Sequence, residues 1–279
     1  MAETGTTLYV GGCFRRVNGQ ARNSLAAFDL RTGRLLPWNP NANPPCVAKL
    51  VVSGSTVYFA GEMTTVGGVA RRALAAVDAS TGALEPWNPA PSHPSGSGDD
   101  AEVFALSSSG STIYVGGRFT AIGGGTRANL AAFDTATGAV TGWNPNVDEA
   151  VYAVEPARDT IFVGGAFAHV GPTTRTGLAQ IDAATGSATA FDPKARFDSA
   201  DLTLRPLGDV IFVGANGEVS FAGKYTGGIA ALDASTGRVF DWPGFRLGDD
   251  GASAVARAKG RLYVGAGDLV AGYFLVFPF

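Results

Sequence analysis

LYVGG, residues 8–12, decides how this chain folds, because it keeps coming back. It returns as VYFAG from Val57, IYVGG from Ile113, IFVGG from Ile161, IFVGA from Ile211 and LYVGA from Leu262, at steps of 49, 56, 48, 50 and 51 residues. Each copy is a short β-branched and aromatic run stopped by small residues, which reads as a strand. Five times an LAAFD-like run follows, then Asp-x-x-Thr-Gly, at residues 29–33, 78–82, 134–138, 182–186 and 233–237. An aromatic-and-proline close comes next: Trp38-Asn39-Pro40, Trp87-Asn88-Pro89, Trp143-Asn144-Pro145, Phe191-Asp192-Pro193 and Asp241-Trp242-Pro243. A period near fifty built from short strands marks a propeller or a solenoid.

One unit, residues 103–145, shows the plan. Val103 opens a short apolar strand, a turn surrounds Gly110, and residues 113–117 form a second strand. A Gly-rich connection leads to a third strand at 130–133; the Asp134 turn then leads to a fourth at 140–143. Strands separated by Gly, Ser, Asn and Asp clusters predict an antiparallel meander, and no segment sustains a helical period. Such a sheet cannot bury both faces alone, and radial repetition solves that. The expectation is therefore an all-β chain. Residues 1–279 should form a single β-propeller of six four-stranded antiparallel blades, with incomplete terminal blades. If the two partial blades merged, the ring would have five.

The repeats also separate scaffold from candidate site. Asp and Thr of the turn accept and donate local bonds, and Gly supplies positive φ. Arg22, Arg71, Arg127 and Arg175 stand three residues before the third strand in four copies. A fixed offset predicts that each binds a carboxylate or carbonyl of its own blade. The tryptophans are expected to pack between outer strands, with proline ending the edge.

The string LYVGG-x-F-x-x-V-N-G at residues 8–19, followed by Arg22, LAAFD from Leu25, Thr32-Gly33 and Pro37-Trp38-Asn39-Pro40, resembles the delta-60 repeat family of bacterial β-propellers. The likeness runs over essentially the whole chain and loosens after the third copy. The Asp-x-x-Thr-Gly…Trp portion also resembles the tryptophan motif of pyrroloquinoline-quinone-type propellers, which are larger rings. The resemblance implies fold and export, and no activity.

Bulk properties narrow the function. A net charge of −3 argues against nucleic acid as a partner, and no apolar run is long enough to span a bilayer. Thr4-Gly5 sits where Ser53-Gly54 and Ser109-Gly110 precede later strands. The chain thus opens late in a repeat, and a longer precursor with a removed leader is expected. The protein is expected to be secreted or on the cell surface, and a monomer. Cys13 and Cys46 leave a disulfide and two free thiols both open, with free thiols favoured. There is no Cys-x-x-Cys or His-Glu-x-x-His, and two histidines make a zinc site unexpected.

Positions that differ between copies are the candidates for function. After the second strand these are Arg15, Glu62, Arg118, His169 and Glu218; on the first strand they are Lys49 and Glu155. They form the expected ligand-binding set. Asp100, Asp148 and Asp249 lie just before first strands and form a candidate carboxylate ring for Ca2+; no other cofactor is expected. Short loops also favour Asp for turn bonds, and drift also produces asymmetry. The favoured function is an exported propeller binding a small molecule, glycan or protein at the loop-rich mouth of a central channel. The alternatives are an enzyme (lyase, hydrolase or cyclase) at that mouth, and a structural module of a larger surface protein.

Overall fold

The computed structural model describes residues 1–43, 46–93, 101–217, 219–226, 228–240, 252–258, 261–266 and 273–278, and every regular element among them is a strand. The six LYVGG-like copies are the middle strands of six three-stranded antiparallel sheets. Sheet one is Ala2–Thr4, Thr7–Gly11 and Leu25–Asp29; sheet two is Val47–Ser53, Thr56–Gly61 and Leu74–Asp78; sheet three is Glu102–Ser109, Thr112–Arg118 and Leu130–Asp134. Sheet four is Val151–Ala157, Thr160–Gly165 and Leu178–Asp182; sheet five is Leu202–Leu207, Val210–Ala215 and Ile229–Asp233; sheet six is Ala252–Ala258, Arg261–Ala266 and Tyr273–Pro278. The chain divides into two compact units, residues 1–144 and 145–279, with three sheets in each.

Within a unit, consecutive sheets bury their faces against each other. Between sheets one and two the seam holds Tyr9, Trp38, Leu50, Phe59 and Val77; between two and three it holds Tyr58, Trp87, Val103, Ile113 and Phe133. Between four and five it holds Phe162, Phe191, Leu204, Ile211 and Val213. Both faces of an inner sheet are apolar, which explains why its strands read as continuous hydrophobic runs.

The expected fourth strand is corrected. In five repeats it is a single bridge: Phe28 to Leu35, Val77 to Leu84, Phe133 to Val140, Ile181 to Ala188 and Leu232 to Val239. In the first four repeats an arginine supplies the reason, and the fifth has Thr226 at that position. The Nη2 groups of Arg22, Arg71, Arg127 and Arg175 donate to the carbonyls of Leu36, Glu85, Thr141 and Thr189, within 3.1 Å, and each Nη1 donates to the preceding carbonyl. The acceptor that would extend the ladder is occupied by a guanidinium. These bonds also bear out the expected structural role of the arginines.

The tryptophans act between repeats. Trp38 Nε1 donates to the Asp78 carbonyl of the next sheet at 3.1 Å, and the ring meets Tyr9 edge-on at 5.0 Å. Trp87 packs edge-on against both Tyr58 and Phe133. Gly82 and Gly138 of the next turn lie against the rings of Trp38 and Trp87, where a Cβ would stand 3.2 Å from the indole. In that turn the Asp Oδ1 accepts both the N–H and the hydroxyl of Thr32, Thr81, Thr137, Thr185 or Thr236.

The Gly-rich connections are also more ordered than a loop reading implies. Each of the five described ones folds into a hairpin: Arg16–Val17 with Gln20–Ala21, Thr65–Val66 with Val69–Ala70, Ala121–Ile122 with Gly125–Thr126, His169–Val170 with Thr173–Thr174, and Val219–Phe221 with Lys224–Tyr225. From the second hairpin on, the segment after the previous Trp/Phe-x-Pro pairs with its inner strand, through Ala42, Ser92, Val147 or Ala195.

Candidate functional site

Each repeat has two ends. The Asp-x-x-Thr-Gly end carries the same bonds in every described copy. The hairpin end does not, and it holds most of the positions that the repeat comparison singles out. Beside the seam, three equivalent clefts of about 590, 430 and 590 Å3 open at the turn end, between sheets one and two, two and three, and four and five. In the first, Tyr9 donates to the Ala79 carbonyl, Trp38 to the Asp78 carbonyl, and Ser80 and Thr81 to the Asp78 carboxylate. Its polar groups thus serve the scaffold.

At the hairpin end of unit one, Cys13 and Cys46 form a disulfide across the seam between sheets one and two, with Cα atoms 4.2 Å apart. This overturns the favoured free thiols. Each cysteine lies next to a strand end, and the Val47 N–H donates to the Gly12 carbonyl at 3.2 Å, so the backbones are already drawn together. Glu62 follows the middle strand of sheet two; its N–H donates to the Cys46 carbonyl at 2.9 Å, and its side chain is exposed. Glycines Gly61, Gly117 and Gly165 permit this approach: a Cβ there would collide with the carbonyl of Cys46, Glu102 or Ala150. Arg118, one residue after Gly117, pairs with Glu102 opposite it at 2.8 Å. Arg15 is exposed at the base of the first hairpin, where its carbonyl accepts the Arg22 N–H, and Lys49 is exposed on the first strand of sheet two, opposite Ala60.

In unit two, His169 and Asp148 meet. Asp148 Oδ1 accepts the N–H groups of Ala168 and His169, and Oδ2 accepts the His169 Nδ1 proton at 2.8 Å. Partial burial alone would raise this carboxyl; the two amides and the imidazole outweigh it and hold it below the usual 3.8. In sheets two and three the equivalent amides, of Thr64 and Thr120, go to backbone carbonyls of Asn43 and Ser92. The Asp148 carboxylate thus performs a backbone task and orients the exposed imidazole through its Nδ1. Glu155 and Arg205 occupy the same strand position in sheets four and five, opposite Phe162 and Phe212, and stand 3.7 Å apart. Burial pushes the Glu155 carboxyl up, against the pull of Arg205.

Glu218, Asp100 and Asp249 lie outside the described residues. Among the described residues no group of three or more His, Cys, Asp or Glu gathers as metal ligands. Residues that the sequence did not single out also stand at the hairpin end: Arg196, Ser220 and Tyr225 share one cross-strand row. The signal was hidden because the hairpin register cannot be read from a Gly-rich stretch.

Six repeated antiparallel sheets with Trp-to-turn packing define a protein built from pyrroloquinoline-quinone-type β-propeller repeats. The family model described as outer membrane protein assembly factor BamB matches residues 5–190, about two thirds of the chain, and the chain belongs to this propeller-repeat family. The computationally designed protein Ika8 is similar in fold, with a TM-score of 0.60 and 16% identity over 99% of this chain and 70% of that one. A second design, Ika4, matches 66% of this chain and 94% of its own at 19% identity, with a TM-score of 0.44. A search of curated protein sequences returned no match. Among the described residues no helix is long and apolar enough to cross a membrane.

Proposed function

We propose that the chain is an exported β-propeller of delta-60 type, with six blades, that binds a glycan through the hairpin ends of its repeats. One observation carries this reading. The turn ends repeat the same bonds copy after copy, whereas the hairpin ends hold a disulfide, a Glu102–Arg118 pair and an Asp148–His169 pair at related positions. Variation on a uniform scaffold, confined to one end of each repeat, is what evolved recognition loops produce. The disulfide supports export, since such bridges persist in oxidising compartments.

The groups at the hairpin ends suit hydroxyl recognition within each unit: in unit one Glu62 accepts and Arg118 donates, and in unit two the oriented His169 does either. The test is glycan-array binding by the native chain and by the variant combining Glu62→Ala, Arg118→Ala and His169→Ala. The expected outcome is binding by the native chain, lost in the variant at an unchanged unfolding midpoint. Full binding by the variant overturns this placement, and binding of no glycan by the native chain overturns the glycan reading.

A further inference from the structure

The fifth repeat has the longest strands at the hairpin end. Ala195–Phe197, Val219–Phe221 and Lys224–Tyr225 form a three-stranded sheet, as Ala42–Asn43, Thr65–Val66 and Val69–Ala70 do in the second repeat. Its inner strand has three residues where the other hairpins have two. Ala195, Val219 and Phe221 are buried beneath it, and Phe197 meets Phe221 edge-on at 6.4 Å. These rings fix the platform from below. The opposite face carries Arg196, Ser220 and Tyr225, directly across from one another. At strand spacing this row is about 10 Å long, the reach of one to two sugar rings.

We propose that this row is a subsite for a sugar ring bearing a carboxylate, a uronic-acid residue of an acidic polysaccharide. The proposal rests on the glycan-binding reading above and gives it a ligand class. Tyr225 is 41% exposed, Arg196 is exposed and Ser220 half-buried. Among the described residues, none of the three side chains has a hydrogen bond or ion pair, so ring face, guanidinium and hydroxyl are all available. An exposed tyrosine ring offers its face to the C–H side of a pyranose. A guanidinium matches a carboxylate with two parallel bonds, and a serine hydroxyl both donates and accepts.

The sibling rows act as internal controls. The corresponding positions are Arg16 and Ala21 in the first hairpin, Asn43, Thr65 and Ala70 in the second, Ser92, Ala121 and Thr126 in the third, and Asp148, His169 and Thr174 in the fourth, where the carboxylate holds the imidazole. None combines a tyrosine ring with a guanidinium.

The experiment is calorimetric titration of the full chain with hexamers of galacturonate and mannuronate, and with maltohexaose as the neutral control. At least one uronate is expected to bind, more weakly as salt rises. Tyr225→Ala and Arg196→Ala should each weaken it at least tenfold, at unchanged unfolding midpoints. Tyr225→Phe should keep most of the affinity, since the ring and not its hydroxyl does the stacking. Uronate binding that both alanine variants retain overturns the row. So does a native chain that binds maltohexaose alone, which leaves the general glycan reading standing. A native chain that binds none of the three overturns the uronate proposal, and the glycan array then decides the broader reading separately.

Discussion

Breaking the Cys13–Cys46 bridge tests how the first repeat is held. Sheet one has a first strand of only three residues, Ala2–Thr4, which pairs with the middle strand as far as Tyr9. The Val10–Gly11 end has no partner from that strand, whereas in sheet two Leu50 and Lys49 cover the equivalent Phe59 and Ala60. The bridge sits at this uncovered end and joins it to sheet two. The cysteines are 33 residues apart. Closing a loop of that length removes denatured-state entropy equivalent to about 4 kcal/mol at 25 °C. With a urea dependence of about 3 kcal/mol/M, the double variant Cys13→Ser/Cys46→Ser should unfold at a urea concentration about 1.3 M lower. Trp38 lies in the affected seam, so tryptophan fluorescence reports the transition. Protein purified under oxidising conditions should show no reactive thiol after denaturation without reductant. Two reactive thiols in that assay, or an unchanged midpoint in the double variant, would refute the reasoning.

Four further outcomes follow from the same geometry. Arg127→Ala should cost about 1–3 kcal/mol by freeing the Thr126 and Thr141 carbonyls, with glycan binding unchanged; lost binding at an unchanged midpoint would reverse its assignment as scaffold. Glu62 and Glu102 hold, between sheets two and three, the positions Cys13 and Cys46 hold one seam earlier, so Glu62→Cys with Glu102→Cys should form a second bridge, and persistent free thiols in folded protein would break the equivalence. The turn carboxylates Asp29, Asp134 and Asp182 lie below 3.8, and Asp78 and Asp233, which add a serine hydroxyl, lie at about 2; hydrogen bonds to the ionised form are the cause. Their stabilisation is complete above pH 3.8 and is lost as pH falls towards 2, so acid unfolding should shift to higher pH in Asp78→Asn, and an unshifted acid midpoint would exclude that contribution. Gln180 Nε2 donates to the Ala234 carbonyl where Tyr9 donates to Ala79, since sheet four has Phe162 in place of the tyrosine. Gln180→Ala should therefore lower stability by about 1 kcal/mol and Phe162→Tyr should recover it; a destabilised double variant would contradict the exchange.

The sequence by itself determined whatever one repeat can settle within its own length. The all-β class, the middle strands, the Asp-x-x-Thr-Gly turns and the fixed arginines all depend on partners within the same repeat, and periodic copies make such partners visible. The register of the first strands is legible too: counted back from the LYVGG-like runs, Glu155 and Arg205 align with Val51 and Ser107, and the four stand opposite Phe162, Phe212, Tyr58 and Tyr114 as that alignment requires. The tertiary structure decided what passes between repeats. The Trp38 indole finds its acceptor 40 residues on and Tyr9 finds its own 70 residues on. The two cysteines meet only because strand ends of neighbouring sheets converge, and Asp148 finds His169 only because a hairpin folds back along the preceding segment. Hydrophobic pattern records which face of a strand is buried, but a polar pair is chosen by ångström-scale distance and direction. That distance exists only once the seams between repeats have closed.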